Sequence, residues 1–229
     1  MKTIGLIGGM SWESTRIYYE LINRDVQQQL GGIHSAKMLI ASLDMQHIAE
    51  LQQQAKWDEA EVLLASTALN LQSAGAEVIA LATNTMHKCA SQIVSAIKVP
   101  FLHVADAVIA QLQKDRRSRS LLLATRFTME QTFYRDKFSE GGVETIIPSQ
   151  EERSALHDII YAELCKGIVL DASRQVVLDM IVAAKHAGAD SVILGCTEIC
   201  MLVDDMNSAL PVYDTTKLHA KALVDFALR

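Results

Sequence analysis

The stretch Ala74–Thr85, AGAEVIALATNT, decides the fold because a version of it occurs a second time in the chain. Its counterpart, Ala187–Glu198, reads AGADSVILGCTE and aligns with it without a gap, so that Thr83 falls opposite Cys196. Each copy predicts a helix that ends at a glycine, a short buried strand, and a polar turn that opens the next helix. In a parallel α/β sheet such a turn lies at the carboxyl end of a strand, where ligands bind. We therefore expect the two turns to face one another across a cleft.

An element outside these two stretches repeats at nearly the same offset as the stretches themselves. Thr83 precedes Cys196 by 113 residues, and Leu6 precedes Leu123 by 117. An offset of this length indicates a duplicated domain, because the repeats of a solenoid are only about 20–50 residues long. Alternating strands and helices call for parallel sheets with right-handed crossovers. The sequence thus predicts an α/β protein with two pseudo-symmetric parallel-sheet domains that arose by internal duplication.

The order of predicted elements sets the expected domain boundaries. Residues 1–103 together with 208–229 are expected to form the first domain and residues 104–207 the second, with the active site in the cleft between them. Hydrophobic periodicity also predicts single helices from 126 to about 138 and from 150 to 166. Strands are predicted at 3–7, 37–43, 77–82, 99–103, 119–125, 143–147, 191–195 and 210–213.

Composition excludes several classes of protein. Of the 229 residues 50% are hydrophobic and 21% are charged, as in ordinary globular proteins. A net charge of −6 without a basic run argues against a nucleic-acid surface, and no apolar stretch approaches the roughly 20 residues that span a bilayer. The N-terminus has no signal-peptide cleavage site, and the four cysteines are too few for a disulfide framework. We therefore expect a cytoplasmic protein with reduced thiols.

Cys196 is the strongest candidate for chemistry. A cysteine between a buried strand and a helix N-terminus has backbone N–H groups and a helix dipole beside it. These favour the thiolate and can lower the thiol pKa from about 8.5 by one or more units. The alternative is a buried cysteine with a purely structural role.

Both predicted turns carry further polar side chains. Thr197 and Glu198 follow Cys196, and Asn84 and Thr85 occupy the first turn. Beside free helix N–H donors, these groups could together hold a small carboxylate and an ammonium group. The alternative is simple helix capping, for which threonine and asparagine are favoured.

Four segments resemble the site segments of the aspartate/glutamate racemase family, and the similarity covers essentially the whole chain. The segments are Gly8-Gly9-Met10-Ser11, Thr83-Asn84-Thr85-Met86-His87, Thr125-Arg126-Phe127-Thr128 and Gly195-Cys196-Thr197-Glu198. Members of this family racemise an amino acid without a cofactor. One cysteine removes the α-proton, and a second returns a proton to the opposite face. The resemblance therefore implies an isomerase with no cofactor and no metal, an amino-acid substrate and a homodimer.

The resemblance also assigns roles to residues of this chain. It implies that Cys196 is one acid/base residue and that Thr83 stands in the place of the other. Glu198, beside Cys196 in the second turn, is expected to help to bind the substrate. The remaining residues implied to contact the substrate are Met10, Gln52, Asn84, Thr85, Thr128, Lys166 and Thr197.

Thr83 departs from the family pattern, which has a cysteine at that position. An aliphatic hydroxyl is a poor base near neutral pH, whereas a thiol serves as both acid and base. The resemblance assigns the L-enantiomer to Cys196, so proton removal from L-substrates is expected to survive. Thr83 could still donate a proton, relayed by water. Cys89 lies six residues further on and is expected to be part of the core.

Acidic specificity depends on two polar residues, each with an alternative interpretation. Lys166 is expected to pair with a distal substrate carboxylate, or else to be an exposed lysine at a helix end. Gln52 lies in the run Gln52–Gln54, where only the resemblance selects it, and a cation would bind an acidic substrate better. Two histidines near the first turn, His87 and His103, are expected to pack in the core; the alternative is that they tune the site.

The resemblance implies a cofactor-independent racemase of L-aspartate, L-glutamate or a broader polar set. Two alternatives remain. One is a one-cysteine decarboxylase or isomerase of the same superfamily that acts on a dicarboxylate. The other is an amino-acid-binding protein without turnover.

Overall fold

The computed structural model describes all residues, 1–229, and the chain divides into two compact units. The first unit comprises residues 1–104 and 219–229, and the second comprises residues 105–218. No helix of the chain is both long enough and apolar enough to cross a membrane.

The first unit contains a parallel sheet of three strands in the order β2-β1-β3. The strands are β1 (Ile4–Gly8), β2 (Met38–Ser42) and β3 (Val78–Leu81). The fourth strand predicted at 99–103 is reduced to a single parallel bridge between Phe101 and Ile79.

Helices cover both faces of this sheet. Ile4, Leu6 and Val78 pack with one set of buried side chains, and Ile7 and Ile79 pack with another. This two-sided burial explains why the strands read as continuous apolar runs. The helices of the first unit are α1 (Trp12–Leu30), α2 (Met45–Gln53), α3 (Trp57–Ser73), α4 (Ala90–Ala96), a 3₁₀ helix at Thr85–Cys89, and most of the C-terminal helix Thr215–Leu228.

The second unit contains a parallel sheet of four strands in the order β5-β4-β6-β7. The strands are β4 (Arg119–Leu123), β5 (Glu144–Ile146), β6 (Ser191–Leu194) and β7 (Val212–Asp214). The helices are α5 (Val104–Lys114), α6 (Arg126–Glu130), α7 (Thr132–Glu140), α8 (Gln150–Asp158), α9 (Asp171–His186) and a 3₁₀ helix at Thr197–Met201.

Two predicted helices are interrupted. The helix expected from 126 to 138 divides at Gln131, whose backbone is extended and ends α6 before α7 begins. The helix expected from 150 to 166 begins with a capping box at Ser149 and is α-helical only as far as Asp158. It continues as a π-helix, Ile159–Glu163, and a 3₁₀ turn that closes at Gly167, whose φ of 74° is left-handed. Periodicity missed this change because a π turn inserts an extra residue into an otherwise helical pattern.

The position of β7 changes the expected division of the chain. Residues 208–229 were expected in the first domain, but β7 pairs with β6 through Val212 and Val192. The hydroxyl of Tyr213 also donates to the Asp115 carboxylate, at 2.9 Å. Residues 208–218 therefore belong to the second unit, and the chain returns to the first unit only at His219.

Both units share one topology, which confirms the predicted α/β class with two parallel sheets. In each sheet the first strand is central, the second lies on one side and the third on the other. The strand order therefore reverses between β1 and β3 in the first unit and between β4 and β6 in the second. Ligands of open α/β sheets bind at the carboxyl ends of strands beside such a reversal.

Candidate active site

The turn after β1 holds Met10 in a tight backbone bend. Gly9 has a φ of +83°, and a Cβ at this position would lie 2.0 Å from the carbonyl oxygen of Leu43. The Gly9 N–H donates to Oγ1 of Thr15 at 2.8 Å, which ties the turn to the start of α1. The glycine thus allows the chain to pass close to the end of β2, and Met10 is buried beside it.

The turn after β3 carries Thr83, Asn84 and Thr85 into the short 3₁₀ helix. Asn84 is buried, whereas Thr83 and Thr85 are half-buried. From α2, Nε2 of Gln52 donates to the sulfur of Met86 at 3.0 Å. The fold therefore brings Gln52, which only the resemblance had selected, into contact with this turn.

The turn after β4 carries Thr125 and Thr128. Their hydroxyl oxygens lie 3.2 Å apart and share a hydrogen bond, and the Thr128 side chain is fully buried. Thr128 therefore contacts Thr125 within the turn, at the N-terminus of α6.

The turn after β6 places Cys196 against a carboxylate. Its thiol donates to Oε2 of Glu198 at 2.9 Å, and the Thr197 hydroxyl donates to the same oxygen at 2.7 Å. Only 8% of Cys196 is exposed. One carboxylate oxygen thus accepts two hydrogen bonds, so the structure places Glu198 as the partner of the thiol.

The environment of Cys196 raises its pKa well above the usual thiol value. Burial is the largest cause, followed by the negative charge of Glu198 and the hydrogen bond to it, while the Glu198 backbone N–H acts in the opposite direction. The expectation of a lowered pKa is therefore wrong for this structure. The helix behind Cys196 is a 3₁₀ helix of five residues, which offers little dipole, and an acidic side chain lies at its start. Cys196 is consequently a protonated thiol.

Comparison with known proteins now identifies the family. The Asp/Glu/hydantoin racemase family model matches residues 7–223, which is nearly the whole chain. The chain belongs to this racemase family.

Three relatives show how close the similarity is. A solved structure of a candidate Asp/Glu racemase from Yersinia pestis is 46% identical, with a TM-score of 0.96 and full coverage of both chains. An aspartate racemase homologue from Pyrococcus horikoshii is 29% identical, with a TM-score of 0.88 and full coverage of both. The broad specificity amino-acid racemase RacX of Bacillus subtilis is 25% identical over 96% of each chain.

In this racemase-family chain the π-helix and the 3₁₀ turn that follows it carry Tyr161, Cys165 and Lys166. The pKa of Tyr161, which is 40% exposed, is raised to about 12, first by partial burial and then by the charges that Cys196, Cys165 and Glu198 carry when ionised. The pKa of Cys165, whose side chain is also exposed in part, is raised to about 11 by partial burial and by Glu198. Tyr161 and Cys165 thus lie close to the Cys196–Glu198 pair. Lys166 is exposed beside Cys165.

Sequence reasoning missed Tyr161 as a neighbour of the site. The sequence predicts an uninterrupted α-helix from 150 to 166. In the structure the π turn shifts every later side chain around the helix axis, so the predicted helix could not show that Tyr161 lies near Cys196. The only available signal is that π turns occur frequently at functional sites, and a π turn is not visible in the sequence.

The other predicted side chains near the first turn have structural positions. Cys89 is fully buried, as expected, in the core cluster that includes Ile79 of β3, and burial raises its pKa to about 12. His87 is also buried and packs against His103, with ring centroids 4.3 Å apart.

Proposed function

We propose that this racemase-family chain is a cofactor-independent amino-acid racemase that acts by α-proton abstraction and reprotonation. The hydrogen bond from the Cys196 thiol to Glu198 carries the proposal. It joins a potential acid/base thiol to a proton acceptor at the carboxyl end of β6, beside the reversal of strand order.

The first half of the reaction uses the Cys196–Glu198 pair. The thiol proton passes to the Glu198 carboxylate, and the resulting thiolate removes the α-proton of the L-substrate. The raised pKa of Cys196 favours this role, because a thiolate that is costly to form is a strong base once formed. The substrate α-carboxylate binds backbone N–H groups and hydroxyls of the two polar turns, with Asn84, Thr85 and Thr197 as the donors.

The second half of the reaction uses Thr83. Its hydroxyl returns a proton to the opposite face of the carbanion, directly or through a water molecule. The Thr83 hydroxyl is then restored by a proton from water, and Glu198 releases to water the proton that it took from the thiol, so that no net proton is gained or lost. Because the hydroxyl is a poor base, reaction from the D-side is slow. Since the equilibrium constant of racemisation is one, kcat/KM is equal in the two directions, so Thr83 lowers both values together. Exchange of the L-substrate α-proton at Cys196 is therefore faster than formation of the D-enantiomer.

The proposed substrates are L-aspartate and L-glutamate, with a broader polar set included. Lys166 supports an acidic side chain, because its ammonium can pair with a distal carboxylate. Gln52, which is neutral and contacts Met86 of the first turn, supports tolerance of uncharged polar side chains. The broad specificity of the RacX relative is consistent with this wider range. Met10 and Thr128 complete the proposed walls of the site.

The cysteines and the family resemblance bear on the cellular setting. Four free cysteines favour a reducing compartment, so we propose the cytoplasm. A homodimer is proposed from the family resemblance alone.

Proton exchange at Cα tests the proposed function. Purified protein is incubated with L-aspartate, L-glutamate or a neutral polar amino acid in deuterated water, and loss of the Cα–H signal is followed by NMR. Formation of the D-enantiomer is measured in the same samples by chiral chromatography. We expect wild-type protein to deuterate the L-substrate faster than it forms the D-enantiomer, and Cys196→Ala to do neither.

Cys89→Ala is the matched control, because it removes a buried thiol outside the site. It is expected to retain both rates. Full activity of Cys196→Ala would refute the mechanism. Binding of amino acids without any exchange in wild-type protein would instead identify a binding protein.

A decarboxylase is the second candidate, favoured by the presence of a thiol in only one of the two turns. Such an enzyme protonates a carbanion that arises by loss of CO₂, so it needs one acid and no opposing base. Release of CO₂ from substituted malonates, with no exchange at Cα of amino acids, would favour this candidate over racemisation.

A further inference from the structure

His87 holds the carbonyl group of Thr83. Its Nδ1 lies 2.7 Å from the Thr83 carbonyl oxygen, and its Nε2 lies 3.2 Å from the backbone nitrogen of Val104. The side chain is 98% removed from solvent, so neither interaction is exchanged readily for water. His87 therefore links the Thr83 turn to the segment that leaves the first unit.

The hydrogen-bond partners of His87 determine its tautomer. A backbone N–H can only donate, so Nε2 must accept from Val104 and cannot carry a proton. A carbonyl oxygen can only accept, so Nδ1 carries the proton and donates to Thr83. Both interactions are satisfied only by the neutral Nδ1–H form. A protonated ring would direct Nε2–H at another N–H.

A second histidine extends this arrangement. His219 is fully buried, and its Nε2 donates to the carbonyl oxygen of Leu102 at 2.9 Å. Its Nδ1 consequently accepts a hydrogen bond from the hydroxyl of Tyr18 in α1, also at 2.9 Å. We call this set the histidine network; its members are Tyr18, His219, Leu102, Val104, His87 and Thr83.

Three rings pack around His87. The ring of His87 lies 4.3 Å from that of His103, 5.7 Å from that of Phe101 and 6.0 Å from that of His219, measured between centroids. Burial, and the charges that His103 and His219 carry when they are protonated, lower the pKa of His87 well below its usual value. The hydrogen bonds to the backbone of Thr83 and Asn84 act in the opposite direction but are the smaller effect. The neutral form that the geometry requires is thus also the form that its surroundings favour.

The network ends on the residue that the proposed mechanism needs most precisely placed. A hydroxyl that must reach one face of a carbanion loses rate steeply when it moves, and a displacement of about 1 Å can cost about a hundredfold. Thr83 follows β3 in a turn, where the regular sheet hydrogen bonds have ended. The His87 hydrogen bond replaces that restraint.

We propose that His87 is a positioning residue for the Thr83 half of the reaction and acts through its hydrogen bond to the Thr83 carbonyl. This inference rests on the proposed function. It separates the two halves of the reaction, because Cys196 belongs to the other unit and makes none of these hydrogen bonds.

Two amide substitutions of His87 test the inference. His87→Asn keeps a side-chain N–H near the position of Nδ1, whereas His87→Gln keeps an acceptor near the position of Nε2. Both place an amide in the same buried site, so their general cost to folding is comparable. We measure deuteration of L-substrate at Cα and formation of the D-enantiomer for wild type and both variants.

We expect His87→Gln to lower the rate of D-enantiomer formation by about tenfold to a hundredfold, while deuteration of the L-substrate changes by less than about threefold. His87→Asn is expected to recover most of the ratio between the two rates. Cys89→Ala, a buried neighbour outside the network, is the control and is expected to keep the wild-type ratio.

Parallel loss of both rates in His87→Gln and His87→Asn would reduce His87 to a general structural role and overturn the inference. An unchanged ratio in His87→Gln would overturn it as well. Wild-type protein that racemises none of the substrates would overturn the proposed function together with the inference. The failure of His87 alone is therefore distinguishable from the failure of the proposed function.

Discussion

Two features of its surroundings keep the proton on Cys196. Burial raises the pKa of the thiol most, and the Glu198 carboxylate, 2.9 Å from the thiol, raises it further through its charge and its hydrogen bond. In the proposed mechanism a base in this state needs an acceptor for its proton, and Glu198 is the proposed acceptor. The same residue thus raises the pKa of the thiol and would receive its proton.

Substitution of Glu198 by glutamine separates these two effects. Removal of the negative charge is expected to lower the pKa of Cys196, so the thiolate appears at lower pH, while L-substrate deuteration falls because no proton acceptor remains. The thiolate is measured by its ultraviolet absorbance during a pH titration, and the titration of the same protein with Cys196→Ser is subtracted. If Glu198→Gln leaves the thiol titration unchanged or moves it to higher pH, the carboxylate does not control the thiol.

At the scale of secondary-structure elements, two turns position the proposed binding residues through special backbone conformations. Gly9 lets the chain turn against the backbone of Leu43, and Gly167 ends the 3₁₀ turn that carries Lys166. Both glycines have a positive φ, a conformation that other residues adopt only at a cost. The ends of these elements therefore contribute as much as their interiors to the placement of the proposed binding residues.

Gly9→Ala and Gly75→Ala form a matched pair that tests this point. Both positions have a positive φ, but a Cβ at Gly75 meets nothing within 4 Å, whereas a Cβ at Gly9 overlaps the backbone of Leu43. Gly75→Ala is expected to lower the free energy of unfolding by about 1–3 kcal/mol, which is the cost of backbone strain. Gly9→Ala is expected to cost more than about 3 kcal/mol, because backbone atoms cannot move aside as a flexible side chain can. Urea unfolding measures both, and equal costs would show that the close approach at Gly9 is relieved.

Substitution of Lys166 tests whether the π-helix and the 3₁₀ turn that follows it take part in substrate binding. Lys166→Ala is expected to raise KM for aspartate and glutamate by about tenfold to a hundredfold, the value of a charge-assisted hydrogen bond of roughly 1.5–3 kcal/mol. KM for a neutral polar amino acid is expected to change little. Steady-state kinetics on both substrate kinds provide the comparison. Equal losses for the two kinds would contradict a role for Lys166 in recognising the distal carboxylate.

At the scale of the whole molecule, the histidine network couples the stability of the first unit to pH. The pKa of His87 is lowered in the folded protein, whereas an unfolded chain binds the proton with a pKa of about 6.5. Between these values the unfolded state binds more protons than the folded state, so stability rises with pH. The contribution of His87 is therefore fully present above about pH 6.5 and is lost as the pH falls from there towards the folded pKa.

Urea unfolding between about pH 7 and about pH 5 tests this coupling. In wild-type protein we expect His87 to add a slope of up to about 1.4 kcal/mol per pH unit to the loss of stability on acidification. His87→Gln is expected to be less stable at neutral pH but to lose that slope, and Cys89→Ala is expected to keep it. A steep slope that persists in His87→Gln would assign the pH dependence to other groups.

The order of residues along the chain was enough to predict the fold class and the position of the proposed chemistry. Two copies of one strand-and-turn pattern predicted two parallel sheets, and the buried strands, the polar turns and Cys196 follow from apolar runs that end abruptly. Such features are local, because hydrophobic periodicity and turn residues act over a few neighbours. The core position of Cys89 was predictable for the same reason.

Features that depend on packing, or on residues distant in sequence, became visible in the three-dimensional fold. Pairing of β7 with β6 assigned residues 208–218 to the second unit, and the π turn brought Tyr161 near Cys196. Burial and the side chain of Glu198 reversed the expected direction of the Cys196 pKa shift. The bond between Tyr18 and His219 joins residues 201 positions apart. Strand pairing, desolvation and electrostatic interactions depend on which groups are in contact in the folded protein. The periodicity of residues along the chain carries no information about those contacts.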